Sequence, residues 1–351
     1  MTRGKSKVSR ATLAEVAKKA NVSMTTASLV LSGKSVEQRI PSQTCKRVEL
    51  AASAIGYTPN QLVHSIQNGR SNIVSFYSAF RHRYNDDLYM ERMAASIEYA
   101  GSLLGYDILM HTNFWRETDE IYRFLNGGWA DGLLFYAPLP DDELLPLFRK
   151  SRLPTVIVNK HDLEGALHSV CSDEEVGMSL ATSALIARGH ERIISFSQFG
   201  WDFRDSQERV ELLDRFLAEH GINRPSSDRI TVDGPVTELL RSLMARPQPP
   251  TAIFCWHDRL AYRVLEACDE LGIHVPDQLT VVGYDGLHWP SSSRHVAASV
   301  KVNLSEIAVR SMSALASLIE GETVPIAQKV PVTFDSGTTM GVARDSHLIL
   351  N

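Results

Sequence analysis

No stretch of eighteen or more apolar residues occurs in the 351-residue chain, which excludes a membrane-spanning helix. The N-terminal Met-Thr-Arg-Gly-Lys-Ser-Lys-Val-Ser-Arg is basic, but no apolar stretch follows it, so a secretory signal is not expected. Cysteine is scarce. Cys45, Cys171, Cys255 and Cys268 lie far apart with no C-x-x-C pair, which is neither a disulfide framework nor a zinc site. A reducing cytoplasm is the expected compartment. The short signatures of catalysis are missing too: no G-x-S-x-G, no phosphate-binding P-loop and no G-x-G-x-x-G. Acidic clusters at Asp86-Asp87, Asp141-Asp142-Glu143 and Asp173-Glu174-Glu175 fall in expected loops and helix starts, where acids suit the helix dipole. No enzyme, cofactor or metal site is expected. What is present is an ordinary soluble composition, 44% hydrophobic and 22% charged, over a length of roughly two to three domains.

The net charge of −5 conceals an asymmetry. Residues 1–70 carry eleven Lys/Arg against three Asp/Glu, a net +8, while the rest carries 25 against 38, a net −13. A small basic head on a larger acidic body points to a polyanion partner for the head alone.

Within that head, Leu13, Val16, Ala17 and Ala20 recur at helical spacing, the apolar stripe of a short helix that begins at Thr12. Thr12 with Glu15 three residues on reads as a capping box. Asn21-Val22-Ser23 is a turn, and Ser23 caps a second helix. There Ala27, Val30 and Leu31 point inward, and Met24, Thr25, Ser28 and Leu29 outward. Ser32-Gly33-Lys34 ends it. Pro41-Ser42 opens a third helix with Val48, Ala51, Ala52 and Ile55 on one face, stopped at Gly56. Two short helices joined by a tight turn and packed on a third make either a helix-turn-helix or a generic three-helix bundle. The excess positive charge and the short polar side chains beside the second cap favour DNA binding.

The run Thr12 to Leu31, Thr-Leu-Ala-Glu-Val-Ala-Lys-Lys-Ala-Asn-Val-Ser-Met-Thr-Thr-Ala-Ser-Leu-Val-Leu, resembles the head of the lac repressor / purine repressor family of bacterial transcription factors. The resemblance continues through Thr44-Cys45-Lys46-Arg47-Val48, with Cys at the first Arg of a T-R-x-R-V pattern, and Gly56-Tyr57-Thr58-Pro59. The loop between the second and third helices is a few residues longer than the family's. The resemblance implies a head over residues 1–58 and a hinge helix and linker over 59–71. It implies DNA contacts from Thr12, Ser23, Met24, Thr25, Thr26, Ser28, Leu29, Asn60 and His64. Ile66 takes the place of the family's apolar wedge in the minor groove, unless it merely packs within the hinge. Leu29 replaces a polar or basic base-reader and suits a thymine methyl.

From Asn72 onward, β-branched runs alternate with amphipathic stretches. Strands are expected near 73–77, 106–110, 132–136, 155–158, 192–196, 252–255 and 279–284, separated mostly by helices. Such alternation predicts doubly wound parallel α/β structure, in two lobes rather than one. Leu185-Ile186-Ala187-Arg188-Gly189-His190-Glu191-Arg192-Ile193 and the run Gly272 to Asp285 extend the family resemblance over this body. The fold implied is a small all-α helix-turn-helix head plus a periplasmic-binding-protein-like body over 72–345. Lobe 1 would take about 72–168 plus 303–325, and lobe 2 about 169–298 plus 326–345. A small-molecule effector would lie between them, outside the carboxyl ends of the strands.

By the same resemblance the effector contacts are Tyr89, Arg209, Phe254, Trp256, His257, Asp258 and Asp285. His257 stands where the family has Asn, and Leu212 where it has a Gly after the Arg. Alternatives stand beside them: Asp285 as a turn cap, Phe254 as core, Arg209 paired with Glu208 or Glu211. Aromatic faces with an Asp and an Arg suit a sugar, another polyhydroxylated metabolite or a nucleobase. The expected activity is regulation of transcription, most simply repression, by a homodimer on double-stranded operator DNA. A tail-joined tetramer is not expected, since no leucine heptads follow Gly341. An export-dependent transport receptor and a ligand-independent architectural DNA binder are the competing readings.

Overall fold

A computed structural model describes residues 11–59, 69–78, 87–111, 116–198 and 204–344. It divides into two compact units at Asn72/Ile73. Asn60, His64, Ile66 and the expected hinge helix lie outside the described residues.

The first unit is three helices: α1 (Leu13–Ala20), α2 (Met24–Leu31) and α3 (Ser42–Ala54). The first two begin at side-chain caps, and α3 begins after Pro41 without one. The Thr12 hydroxyl accepts from the Glu15 amide, and the Glu15 carboxylate accepts from the Thr12 amide at 2.8 Å, a reciprocal cap. Asn21 takes a left-handed conformation (φ 49°) to close α1. The Ser23 hydroxyl accepts from the Thr26 amide at 3.0 Å and starts α2. Val16, Ala17, Ala20, Ala27, Val30, Val48, Ala51 and Ala52 then meet in one small core. Five of these eight are alanines, so the backbones approach closely. Arg47 Nε donates to the Ala20 carbonyl at 2.8 Å and fastens α3 to the end of α1.

The second unit contains two six-stranded sheets. The first holds β1 (Ile73–Ser78), β2 (Asp107–Met110), β3 (Gly132–Tyr136), β4 (Thr155–Val158), β5 (His168–Ser172) and β11 (Ala327–Val330), in the order β11-β5-β4-β3-β1-β2. The second holds β6 (Ile193–Ser197), β7 (Arg229–Thr231), β8 (Ala252–Cys255), β9 (Thr280–Asp285), β10 (Ala298–Lys301) and β12 (Thr333–Asp335), in the order β12-β10-β9-β8-β6-β7. All pairings are parallel except β12 on β10. The helices that bear on the site are α4 (Leu88–Leu103), α7 (Glu174–Ile186), α8 (Arg204–Glu219), α10 (Asp258–Leu271) and α11 (Leu304–Ile319); α5 (Thr118–Leu125), α6 (Leu145–Arg149) and α9 (Val236–Met244) complete the layers. Because successive strand residues face opposite ways, Val74, Phe76 and Leu134 pack with α4 and α11, while Tyr77, Leu133 and Phe135 pack with α5 and α6.

The chain crosses between the sheets three times, at 172–174, 301–304 and 330–333. This shifts the expected lobe limits. β5 pairs with β4 and β11, so residues 168–172 belong to lobe 1, and β11 brings 327–330 there as well. Both strands were invisible to the apolar-run criterion for a physical reason. Ala-Gln-Lys-Val at the sheet edge buries only its last residue fully, and an edge strand tolerates Lys. His-Ser-Val-Cys-Ser spends its buried polar positions in hydrogen bonds instead of apolar contact.

Candidate DNA-reading helix and effector cleft

On the head, α2 leaves Ser23, Met24 and Thr25 exposed, with Met24 at 56% exposure. Thr26, Ser28 and Leu29 are half-buried beside them. The Ser23 and Thr26 hydroxyls lie 2.8 Å apart. Thr12 is exposed, but its hydroxyl both accepts from and donates to Glu15. Thr12 and Ser23 therefore serve first as helix caps. Met24 and Thr25 are the side chains with free reach, from the N-terminal turn whose partial positive charge favours an anion.

In the body, the carboxyl ends of β4, β8 and β9 bring together residues far apart in sequence. Arg209, on α8, is 6% exposed. Its Nε and Nη2 donate to the two oxygens of Glu174 at 2.8 and 3.1 Å, a two-pronged pair. Its Nη1 donates to the Trp256 carbonyl at 2.5 Å and lies 3.5 Å from Asp285 Oδ1. The guanidinium sits 3.7 Å above the centre of the Tyr284 ring. Burial pulls Arg209 down, but the charges of Glu174 and Asp285 hold it well above the usual arginine value. Burial alone would raise the Glu174 carboxyl; the Arg209 charge and hydrogen bonds outweigh it and leave the group below the ordinary range. The neighbouring chain must come close to permit this. A Cβ on Gly177, one turn along α7, would fall 2.3 Å from the Tyr284 hydroxyl.

Asp285 ends β9 with φ 109°, a conformation that non-glycine residues rarely hold and that clusters at ligand sites. Trp256 and His257 follow β8 with rings stacked at 4.0 Å and 27°. His257 caps α10: Nδ1 accepts from the Leu260 amide at 3.1 Å, which puts the ring proton on Nε2. Burial pushes its pKa down to about 3, so the ring is a neutral donor. From lobe 1, Tyr89 on α4 donates to Asn159 Oδ1 at 3.0 Å and packs against apolar clusters of both lobes. Lys160 reaches Glu208 of α8 at 3.0 Å, an ion pair from one lobe to the other.

Five of the seven expected effector contacts are thus neighbours: Tyr89, Arg209, Trp256, His257 and Asp285. Two are not. Phe254 is fully buried on the central strand β8, with Met178, Leu213 and Val282, and serves as core. Asp258 turns inward with no exposed surface; its Oδ2 accepts from the Leu287 amide, and burial raises its pKa to about 7. A Cβ on Gly283 would strike Asp258 Oδ1 at 2.2 Å, so α10 rests directly on β9 there. Asp258 ties the chain after β9 to α10 instead of facing a ligand. Glu174, Asn159, Lys160, Glu208 and Tyr284 join the site without having been expected. Glu174 gave a signal as part of an acidic helix start, and it does occupy the first turn of α7. Arg209 pairs with it, not with Glu208 or Glu211. His190, fully buried, bonds the Thr251 hydroxyl and the Gly341 carbonyl and so pins a turn. No cluster of three metal-ligating side chains occurs among the described residues, nor any helix long and apolar enough to cross a membrane.

Two family models match: bacterial regulatory proteins of the lacI family over residues 12–60, and a periplasmic binding protein-like domain over residues 182–339. Catabolite control protein A of Priestia megaterium is 25% identical over 320 residues, covering 89% of this chain and 94% of that protein. The transcriptional repressor PurR of Photobacterium profundum is 27% identical over 286 residues, 79% of this chain and 82% of that protein. In fold, the lac repressor dimer bound to operator and an anti-inducer superposes with a TM-score of 0.78 at 21% identity, over 95% of this chain and 100% of that one. The regulator CelR solved with cellobiose gives 0.65 at 23% identity, over 94% and 100%. The relatives are named as regulators of transcription, and the chain joins a lacI-family regulatory domain to a periplasmic binding protein-like domain.

Proposed function

We propose that the protein is a repressor that binds a near-palindromic operator as a homodimer in the cytoplasm, and that a small uncharged polyhydroxylated effector, most simply a sugar, sets its operator affinity. The observation that carries this reading is the buried Arg209–Glu174–Asp285 cluster at the strand ends of a two-lobed body, in the same chain as a basic helix-turn-helix. A stand-alone DNA-binding protein has no need of a buried, ion-paired site in its body. Relatives named as repressors support the direction of control, and the cellobiose complex of CelR supports the effector class.

In mechanism, each side chain has a task. Met24 and Thr25 meet base edges at the N-terminal turn of α2, and Thr26, Ser28 and Leu29 flank them. Asn60 and His64 extend the contact by family resemblance, with Ile66 as the minor-groove wedge. Asp285 and Glu174 accept from sugar hydroxyls, the Nε2–H of His257 donates, and Trp256 offers an apolar face. An effector that binds one arrangement of the lobes better than another shifts the population between them, and only that difference in affinity can alter operator binding.

Selection of duplexes from a random pool by the purified full chain, at stated salt, tests the first half. A recovered palindrome with a flexible pyrimidine–purine centre supports repression through a hinge wedge. Binding without enrichment favours the architectural alternative. Neutral sugars are then scored for release or tightening of the recovered duplex, and Ile66→Gly should abolish operator preference while leaving effector affinity intact.

A further inference from the structure

The segment between α2 and α3 is longer than the family resemblance requires, and it is built rather than slack. α2 closes as the Gly33 amide donates to the Val30 carbonyl and the Lys34 amide to the Leu29 carbonyl at 3.0 Å, with Gly33 at φ 77°. A second turn follows at once. The Gln38 amide donates to the Lys34 carbonyl, the Arg39 amide to Val36, and the Ile40 amide to Ser35 at 2.9 Å. Arg39 closes this turn at φ 52°, a left-handed conformation in which a long L side chain is uncommon. Ile40 then returns to the head core. Both ends are fixed, and residues 36–39 stand exposed, with Val36 at 87% exposure at the apex.

The position of this platform follows from lengths. The eight residues of α2 span about 12 Å at 1.5 Å per residue, about the width of the major groove. A helix with its first turn among the base edges therefore delivers whatever follows its last turn to the groove's lip, where the phosphates are. Lys34 and Arg39 follow that last turn, and no described residue takes either side chain in an ion pair or hydrogen bond.

We propose that the turn spanning residues 34–39 is an added phosphate-binding platform, with Lys34 and Arg39 as its contacts, which enlarges the footprint of each head without reading sequence. The proposal rests on the reading that α2 enters the major groove. It concerns positioning and affinity, because a phosphate contact carries no base information.

The full chain is titrated onto two probes, a duplex recovered by selection and a random-sequence duplex, across a series of salt concentrations. Each phosphate neutralised steepens the slope of log affinity against log salt by about 0.9. Lys34→Ala with Arg39→Gly should make the slope shallower by about 1 to 2 per head on both probes, with the preference for the selected duplex unchanged. Glycine is chosen at 39 because the left-handed backbone suits it. Glu37→Gln, which removes the loop's one acid, should strengthen binding at low salt, a gain that misfolding cannot imitate. An unchanged slope in the double variant, or weakening confined to the selected duplex, overturns the proposal. A wild-type chain that binds neither probe overturns the DNA reading itself, a result distinct from either.

Discussion

The head and the cleft use polar side chains in opposite ways. In the head, Thr12 and Ser23 satisfy the ends of their own helices, and the side chains beside them are left facing solvent. In the cleft, Arg209, Glu174 and Asp285 are already committed to one another, and Lys160 to Glu208. A preformed exposed surface suits a rigid partner such as a duplex, which docks without reorganising the protein. The closed network lies within the second lobe and the Lys160–Glu208 pair ties that lobe to the first, so a ligand that exchanges partners beside this link can alter how the lobes are held.

The comparison breaks most sharply at Arg209. Replacing it with Met leaves Glu174 and Asp285 without their cation. Removing one partner of a buried pair costs about 3 to 5 kcal/mol, and the one-third exposure of Glu174 places this case at the lower end, about 3 kcal/mol. Urea unfolding of the body should register that loss, while helix content of the head and nonspecific duplex binding stay unchanged. Loss of both together would show that the two regions are not independent. Phe254→Leu tests the other side of the assignment. This large-to-small change in a fully buried core should cost about 1 to 2 kcal/mol of stability and leave effector affinity unaltered; altered affinity would return Phe254 to the ligand. In the head, Ser23→Ala removes a cap and should cost about 1 kcal/mol of stability, whereas Thr25→Ala should change duplex preference with stability intact.

The same contrast explains what could be read in the sequence. Every head element was legible because its determinants are local: a cap three residues from its partner, a stripe at helical spacing, a glycine after the last turn. The sheets were legible where strands form continuous apolar runs, as with Gly-Leu-Leu-Phe-Tyr, and illegible at the polar β5 and at the short β7, β10, β11 and β12, whose three or four residues mix polar with apolar side chains. The cleft was half legible. Arg209 and Asp285 stood out through a family pattern, but Glu174 meets Arg209 across 35 residues of sequence, and no periodicity announces a tertiary ion pair. Phe254 and Asp258 misled for the complementary reason. They belong to a motif at the end of β8, and a motif does not say which of its members the backbone turns inward.

A pH series tests two adjacent residues that titrate in opposite senses. The folded pKa of His257 is depressed to about 3 from an ordinary 6.5. Between those values the unfolded chain binds a proton that the folded chain does not, so stability falls as pH drops below about 6.5. Asp258 is raised to about 7 from 3.8. The folded chain holds that extra proton, and stability falls as pH rises from about 4 towards 7. Over the shared window the two slopes largely cancel, which hides both from a pH scan of the wild type. His257→Asn keeps a side chain able to cap α10 and removes one of the two. Its stability relative to wild type should therefore rise as pH falls from 6.5, by up to about 1 kcal/mol per unit, measured by urea unfolding at several pH values. A difference independent of pH would mean that the imidazole is hydrated and titrates normally, and its place as a neutral donor in the cleft would fall with it.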